Sequence, residues 1–175
     1  SAAVVSHAHC PVVVVRGDNP VTEDTKYGPV VVGVDGSGVS QKAIEYAFAE
    51  ASARECELIA VHTWMDMQIQ ASLAGLSAAQ QQWKIVEEEQ NMLLGHRLAG
   101  YAERYPDVQV TRVVTRDRPV RALVDAAKGA QLLVVGSHGR GGFKGMLLGS
   151  TSRALLQSAP CPMMVVRPDS DAKAH

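Results

Sequence analysis

Five short stretches of the chain are rich in β-branched, apolar residues: positions 30–34, 58–63, 108–115, 132–135 and 163–166. The first and fourth are nearly continuous apolar runs, the pattern of strands buried on both faces of a parallel sheet. Between the runs, apolar positions recur at helical spacing. Residues 40–54 place Ala43, Ile44, Ala47, Phe48 and Ala51 on one stripe, and residues 79–105 do the same with Trp83, Val86, Leu93, Leu94, Leu98, Tyr101 and Tyr105. Shorter helices are expected over 120–127 and 151–158. This alternation predicts right-handed crossovers and an α/β fold with a doubly wound parallel sheet. The stretch between Asp66 and Ala78 has no clean period and is read as a long connection.

Residues 1–16 copy the end of that series. They align without gaps on residues 152–167, half of the positions are identical, and both copies carry Cys-Pro (Cys10-Pro11, Cys161-Pro162) and a closing Val-Arg. A repeated last helix and last strand changes the domain map. Residues 1–19 are read as the remnant of a preceding homologous domain. Residues 20–28 close a polar, turn-rich linker that begins at Gly17; residues 28–168 form the main domain and 169–175 a tail. An apolar last strand leaves a bare sheet edge. The copied strand, 12–16, is expected antiparallel to 163–167, in cis or given to a second chain, about an axis at Val14 and Val165. Cys10 and Cys161 would then stand about eight residues apart, beyond disulfide reach.

Composition narrows the function classes. The net charge is −1, which gives no basis for a nucleic-acid or membrane partner. No apolar run reaches the roughly 18–20 residues of a membrane helix, and no basic-then-apolar leader is visible. Three cysteines without a paired motif are expected to stay reduced, as in a cytoplasmic protein.

In a doubly wound sheet, ligands sit at the carboxyl ends of the strands, where the strand order reverses. The loop after the first strand of the main domain reads Gly33-Val34-Asp35-Gly36-Ser37-Gly38. Its glycines permit a tight turn, and Ser37 or Ser40 can cap the next helix. It is not a GxGxxG fingerprint. Asp35 would repel a phosphate; it suits hydroxyls or a base amino group, and equally a turn. The loop after the fourth strand begins Gly136-Ser137-His138-Gly139-Arg140 and ends Gly149-Ser150-Thr151, where a helix opens. Glycines let backbone N–H groups approach an anion, and a helix N-terminus favours one. From Gly136 to Arg167 there is no Asp or Glu, while Arg140, Lys144, Arg153 and Arg167 are cationic. A phosphate site is coherent with this pattern, although the Walker A spacing is absent.

The spacing Gly136-x2-Gly139-x9-Gly149-Ser150 resembles the ATP-binding signature of the universal stress protein family. So do the flanking Val-Val-Gly-Ser-His-Gly-Arg-Gly-Gly, the opening Val-Gly-Val-Asp-Gly-Ser and the closing Ala-Pro-Cys-Pro-Met-Met-Val-Val. The resemblance implies a five-stranded parallel sheet of order 3-2-1-4-5, adenine nucleotide alpha hydrolase-like, here with an extra N-terminal edge strand, and dimerisation through the last strand. It implies an adenine nucleotide, ATP with or without Mg2+. Gly33, Asp35 and Ser37 would meet it after the first strand, and Thr63 (after His62) and Val135 would lie beside the base. Gly136, Gly139, Arg140, Gly149, Ser150 and Thr151 would meet ribose and phosphates. The implied function is nucleotide-dependent regulation in stress or dormancy, with a cyclic-nucleotide binder or a nucleotide-free interaction module as alternatives. No general base or Walker B-type acid is evident, so any ATP hydrolysis is expected to be slow. His62 and His138 are read as structural, Glu87–Glu89 as solvated first turns of a helix, and Arg118 and Arg121 as surface. Asp35→Ala and Gly136→Glu are each expected to abolish nucleotide binding with the fold intact.

Overall fold

The computed structural model describes residues 2–16, 27–64, 76–139 and 147–168. Five strands run parallel: β2 (Val30–Gly33), β3 (Leu58–Thr63), β4 (Val110–Thr115), β5 (Leu132–Gly136) and β6 (Met163–Val166). A sixth, β1 (Val12–Val14), lies antiparallel on the outer edge of β6, giving the order β1-β6-β5-β2-β3-β4. Without β1 this is the expected 3-2-1-4-5 sheet. The helices are α1 (Ala2–His7), α2 (Gly38–Ala53), α3 (Leu76–Arg104), α4 (Pro119–Ala126) and α5 (Ser150–Ser158). The N-terminal part of the segment expected to be a connection, residues 65–75, lies outside the described residues, as do residues 17–26 and the tail 169–175.

Successive strand residues face opposite ways, and here both faces are covered. Val30, Val32, Leu132, Val134, Met164 and Val166 meet Ala43, Ile44, Ala47, Phe48 and Ala51 of α2 and Leu94 and Leu98 of α3. Val31, Leu133, Val135, Met163 and Val165 meet Leu123 of α4, Leu155 of α5 and Val5 of α1. This double cover is why β2 and β5 carry apolar residues at nearly every position. Phe48 and Ile44 are fully buried, each worth roughly 1.5–3 kcal/mol of transfer free energy. Tyr101 and Tyr105 stack on Phe48 at 5.8 and 5.9 Å between centroids, as their place on the stripe predicts. Leu93 departs from it and is exposed. Neighbours on a helix point about 100° apart, and Leu94 takes the core position.

The β1–β6 register pairs Val12 with Val165, Val13 with Met164 and Val14 with Met163. Val13 and Met164 are equivalent in the repeat, so the axis passes there, one residue earlier than the expected Val14 and Val165. Each partner moves by two positions, which keeps every side chain on its face.

All three cysteines are free: Cys10 exposed, Cys56 half-buried and Cys161 buried. Burial pushes the Cys161 thiol from 9.0 up to about 11 and raises Cys56 as well. Only thiolates attack a disulfide reagent. At about pH 8, titration with an aromatic disulfide reagent is expected to modify Cys10 first and Cys161 only after unfolding. Because the folded value is the higher one, the stabilisation from the neutral Cys161 thiol is complete below pH 9.0 and is lost as the pH rises towards about 11. Denaturant titrations of Cys161→Ala should lack that alkaline loss; an unchanged slope would assign it elsewhere.

Candidate functional site

The strand order reverses between β2 and β5. The chain leaves β2 into α2 on one face and leaves β5 towards α5 on the other. A crevice must open between those two departures, and its two lips are built differently.

The β2 lip is a locked turn. The Asp35 Oδ1 accepts a hydrogen bond from the Ser37 N–H at 2.9 Å, and Gly36 between them takes φ +82°, which favours glycine. Ser37 caps α2, its hydroxyl accepting from the Ser40 N–H at 3.1 Å, while the Ser40 hydroxyl accepts from the Asp35 N–H at 3.2 Å. A cap of this kind is worth about 1 kcal/mol. Beneath the turn, buried His62 links β3 to the lip. Its Nδ1 lies 2.7 Å from the Val34 carbonyl and its Nε2 2.9 Å from the Gln90 side chain. A carbonyl only accepts, so Nδ1 carries the proton. This is the structural role expected of His62.

The β5 lip is a loop drawn shut at its base. The Ser137 N–H donates to the Val166 carbonyl at 2.7 Å, and the Gly149 N–H donates to the Ser137 carbonyl at 2.7 Å. The Ser152 hydroxyl donates to the Gly136 carbonyl at 2.7 Å and pins α5 to the end of β5. A Cβ on Gly149 would stand 3.2 Å from the His138 Cα, so a side chain there would press on the neck. Gly149 is the N-cap of α5 and offers no side-chain cap. The first N–H groups of α5 therefore have no partner within the helix. His138 is fixed at the neck, its Nδ1 3.0 Å from the Ser137 hydroxyl.

The two lips touch. A Cβ on Gly139 would run into Oδ2 of Asp35. Asp35 and Gly139 are thus brought together, and Gly149 closes against His138, followed by Ser150, exposed, and Thr151, half-buried, in the first turn of α5. Thr63 ends β3 on the far side of β2, paired with Thr115. Arg140 and Lys144 lie outside the described residues. Gly33 and Val135 sit below the crevice: a Cβ on Gly33 would lie 3.2 Å from Leu123, and Val135 turns its side chain into the core. Val135 can offer a ligand its main chain only. The expectation that Gly136→Glu spares the fold needs correction, because a Cβ there already falls 3.0 Å from Val39 of α2. Gln90 and Ser152 also frame the site and were missed from sequence, whereas Ser40 was named there beside Ser37 as a candidate cap.

Away from the crevice, Arg121 pairs with Asp117 at 3.5 Å on the exposed side of α4. The Lys128 ammonium, hydrogen-bonded to Asp125, holds that carboxyl below its ordinary value. Trp83 is half-buried rather than core. It packs on Trp64 at 5.5 Å, with the Arg116 guanidinium 3.9 Å from its ring centre. Glu87, Glu88 and Glu89 are exposed, as expected, but they lie in the middle of α3 rather than in its first turns, because the helix begins at Leu76. A groove of about 360 Å³ runs beside α5 between Leu148, Ser150, Arg153 and Gln157, sharing only Ser150 with the predicted set. Among the described residues no group of three potential metal ligands occurs, and no helix is long and apolar enough to cross a membrane.

A parallel sheet of this order, with an acid on one lip and a pinched glycine loop on the other, defines an α/β domain of the adenine nucleotide alpha hydrolase-like design. The chain belongs to the universal stress protein family, which it matches over residues 26–167. A universal stress protein of Mycobacterium tuberculosis is 51% identical over 167 residues, covering 95% of this chain and 55% of the relative. The chain spans about half the length of the curated relatives it matches. A solved universal stress protein in complex with cAMP is 26% identical with a TM-score of 0.54, covering 81% of this chain and 97% of the other. One from Archaeoglobus fulgidus shares the fold at 23% identity and a TM-score of 0.61, covering 96% of this chain and 53% of that one.

Proposed function

We propose that the crevice binds an adenine nucleotide, ATP before others, and that the domain signals its occupancy to a partner rather than turning the nucleotide over. The contact between Gly139 and the Asp35 carboxylate carries this reading, because it joins an acid lip to an anion-binding lip. Asp35 would accept from ribose hydroxyls or the base amino group. The N–H groups at Ser150 and Thr151, which have no partner within the helix, would take phosphate oxygens beside Gly149, with the favourable end of the α5 dipole. Thr63 and the Val135 main chain would border the base, and Ser37 would hold the turn. Mg2+, where it accompanies ATP, would be held through the phosphates. Stress or dormancy physiology, in the cytoplasm, is the corresponding role by family. The repeat and the half-length match to relatives support residues 1–19 as the end of a preceding homologous domain.

Native mass spectrometry of the purified protein, followed by calorimetry with ATP, GTP and cAMP, tests the reading. Retained adenine nucleotide and tighter binding of ATP than GTP are expected. Tighter binding of cAMP than ATP would establish the cyclic-nucleotide alternative that the cAMP complex of a relative favours. No heat with any adenine compound would overturn the proposal in favour of a nucleotide-free interaction module.

A further inference from the structure

The repeated ends of the chain meet through a reciprocal contact. Arg16 donates from Nη1 to the Gln157 carbonyl at 2.6 Å and from Nη2 to the Leu156 carbonyl. Arg167 donates from Nη1 to the Ser6 carbonyl and to the Val5 carbonyl, the latter at 3.4 Å. In the gapless alignment Arg16 corresponds to Arg167, Val5 to Leu156 and Ser6 to Gln157. Each arginine, on leaving its strand, therefore grips the same two carbonyls of the other copy's helix. These carbonyls end α1 and α5, where no helical N–H reaches them. A forked cation suits both the paired acceptors and the negative end of the helix dipole.

Exposure tells what each surface of the first copy is made for. Leu155, Met164 and Val166 are 0%, 7% and 0% exposed, whereas their equivalents Val4, Val13 and Val15 are 62%, 48% and 70% exposed. Val5, which faces β6, is 1% exposed. The side of α1 and β1 turned towards the main domain is sealed. The sides that would face a core of their own are open.

We infer that, where a second domain of this fold pairs with the β6 edge through α1 and β1, the reciprocal Arg16/Arg167 clamp is what selects it. Strand pairing alone accepts any extended backbone at the β6 edge. A strand without a trailing arginine would leave the Leu156 and Gln157 carbonyls uncapped. A partner without a helix ending beside its strand would leave Arg167 without acceptors. Discrimination comes from those unmet groups.

The test uses the full ligand-free chain, so its result does not depend on what the crevice binds. Hydrogen exchange is followed at Val12–Val14 in Arg16→Met, Arg167→Met and Arg16→Lys variants, with β2 and β3 amides as the internal reference. Each methionine variant should exchange at least about tenfold faster at Val12–Val14 with the reference unchanged, the lysine variant lying between it and the parent. Unchanged exchange at Val12–Val14 would overturn the clamp. Equal acceleration in β2 and β3 would also overturn it, by showing that the arginines serve the whole fold.

Discussion

Asp35→Ala is expected to weaken ATP binding on the order of tenfold to a hundredfold, while costing the fold only about 1 kcal/mol. In the proposed mode the carboxylate accepts from the nucleoside, and a hydrogen bond to a charged acceptor is worth about 1.5–3 kcal/mol. The stability cost comes from the Ser37 N–H, which loses its acceptor at the turn. Asp35→Asn separates the two effects: the amide oxygen still accepts from Ser37, so thermal stability should recover, but the charge does not return and affinity should stay low. Gly139→Ala should act on the same site from the opposite lip by displacing the Asp35 carboxylate. Calorimetry with a melting curve on each variant decides the matter. If ATP binds the parent and binds Asp35→Ala within about twofold of it, the acid lip is not the nucleoside side.

Deleting residues 1–18 should convert the protein into a self-associating one. The deletion removes β1 from β6 and lifts Val5 from its cluster with Met163 and Val165. It leaves a bare apolar edge and two helix-end carbonyls, at Leu156 and Gln157, without their guanidinium. An edge of that kind recruits another strand, and the copy in best supply is β6 of a second molecule. Sedimentation should show a concentration-dependent shift to dimer or larger species. A soluble monomer over the same concentration range would reduce the N-terminal unit to a passive tail.

Strand and helix positions were legible because they follow from apolar runs and from a helical period of 3.6, and the parallel sheet from the alternation of the two; the sheet order was implied by the family resemblance. The pairing of β1 was legible from the sequence, but its register only to within two residues. A run of four valines, Val12 to Val15, has no internal mark, and the Arg16 contact with Leu156 that accompanies the observed register lies 140 residues away. The lips of the crevice were readable for the same reason as the strands, since glycines and caps act locally. Ser152 and Gln90 were not, because their partners Gly136 and His62 become neighbours only once the sheet has formed. Gly33 and Gly136 show a subtler limit. Glycine at a crevice suggests room for a ligand, yet at both positions the missing side chain makes room for Leu123 and Val39.

The antiparallel step from β6 to β1 also settles where a second crevice would open. In this domain all the parallel strands point their carboxyl ends, and hence the crevice, towards one end of the sheet. A domain continuing outward from β1 would have its strands parallel to β1, and its carboxyl ends would point the opposite way. Two occupied crevices in such a molecule would look out from opposite ends of one continuous sheet. No single ligand could bridge them, and a macromolecule reading both would have to span the full strand length or bind as two copies, one at each end.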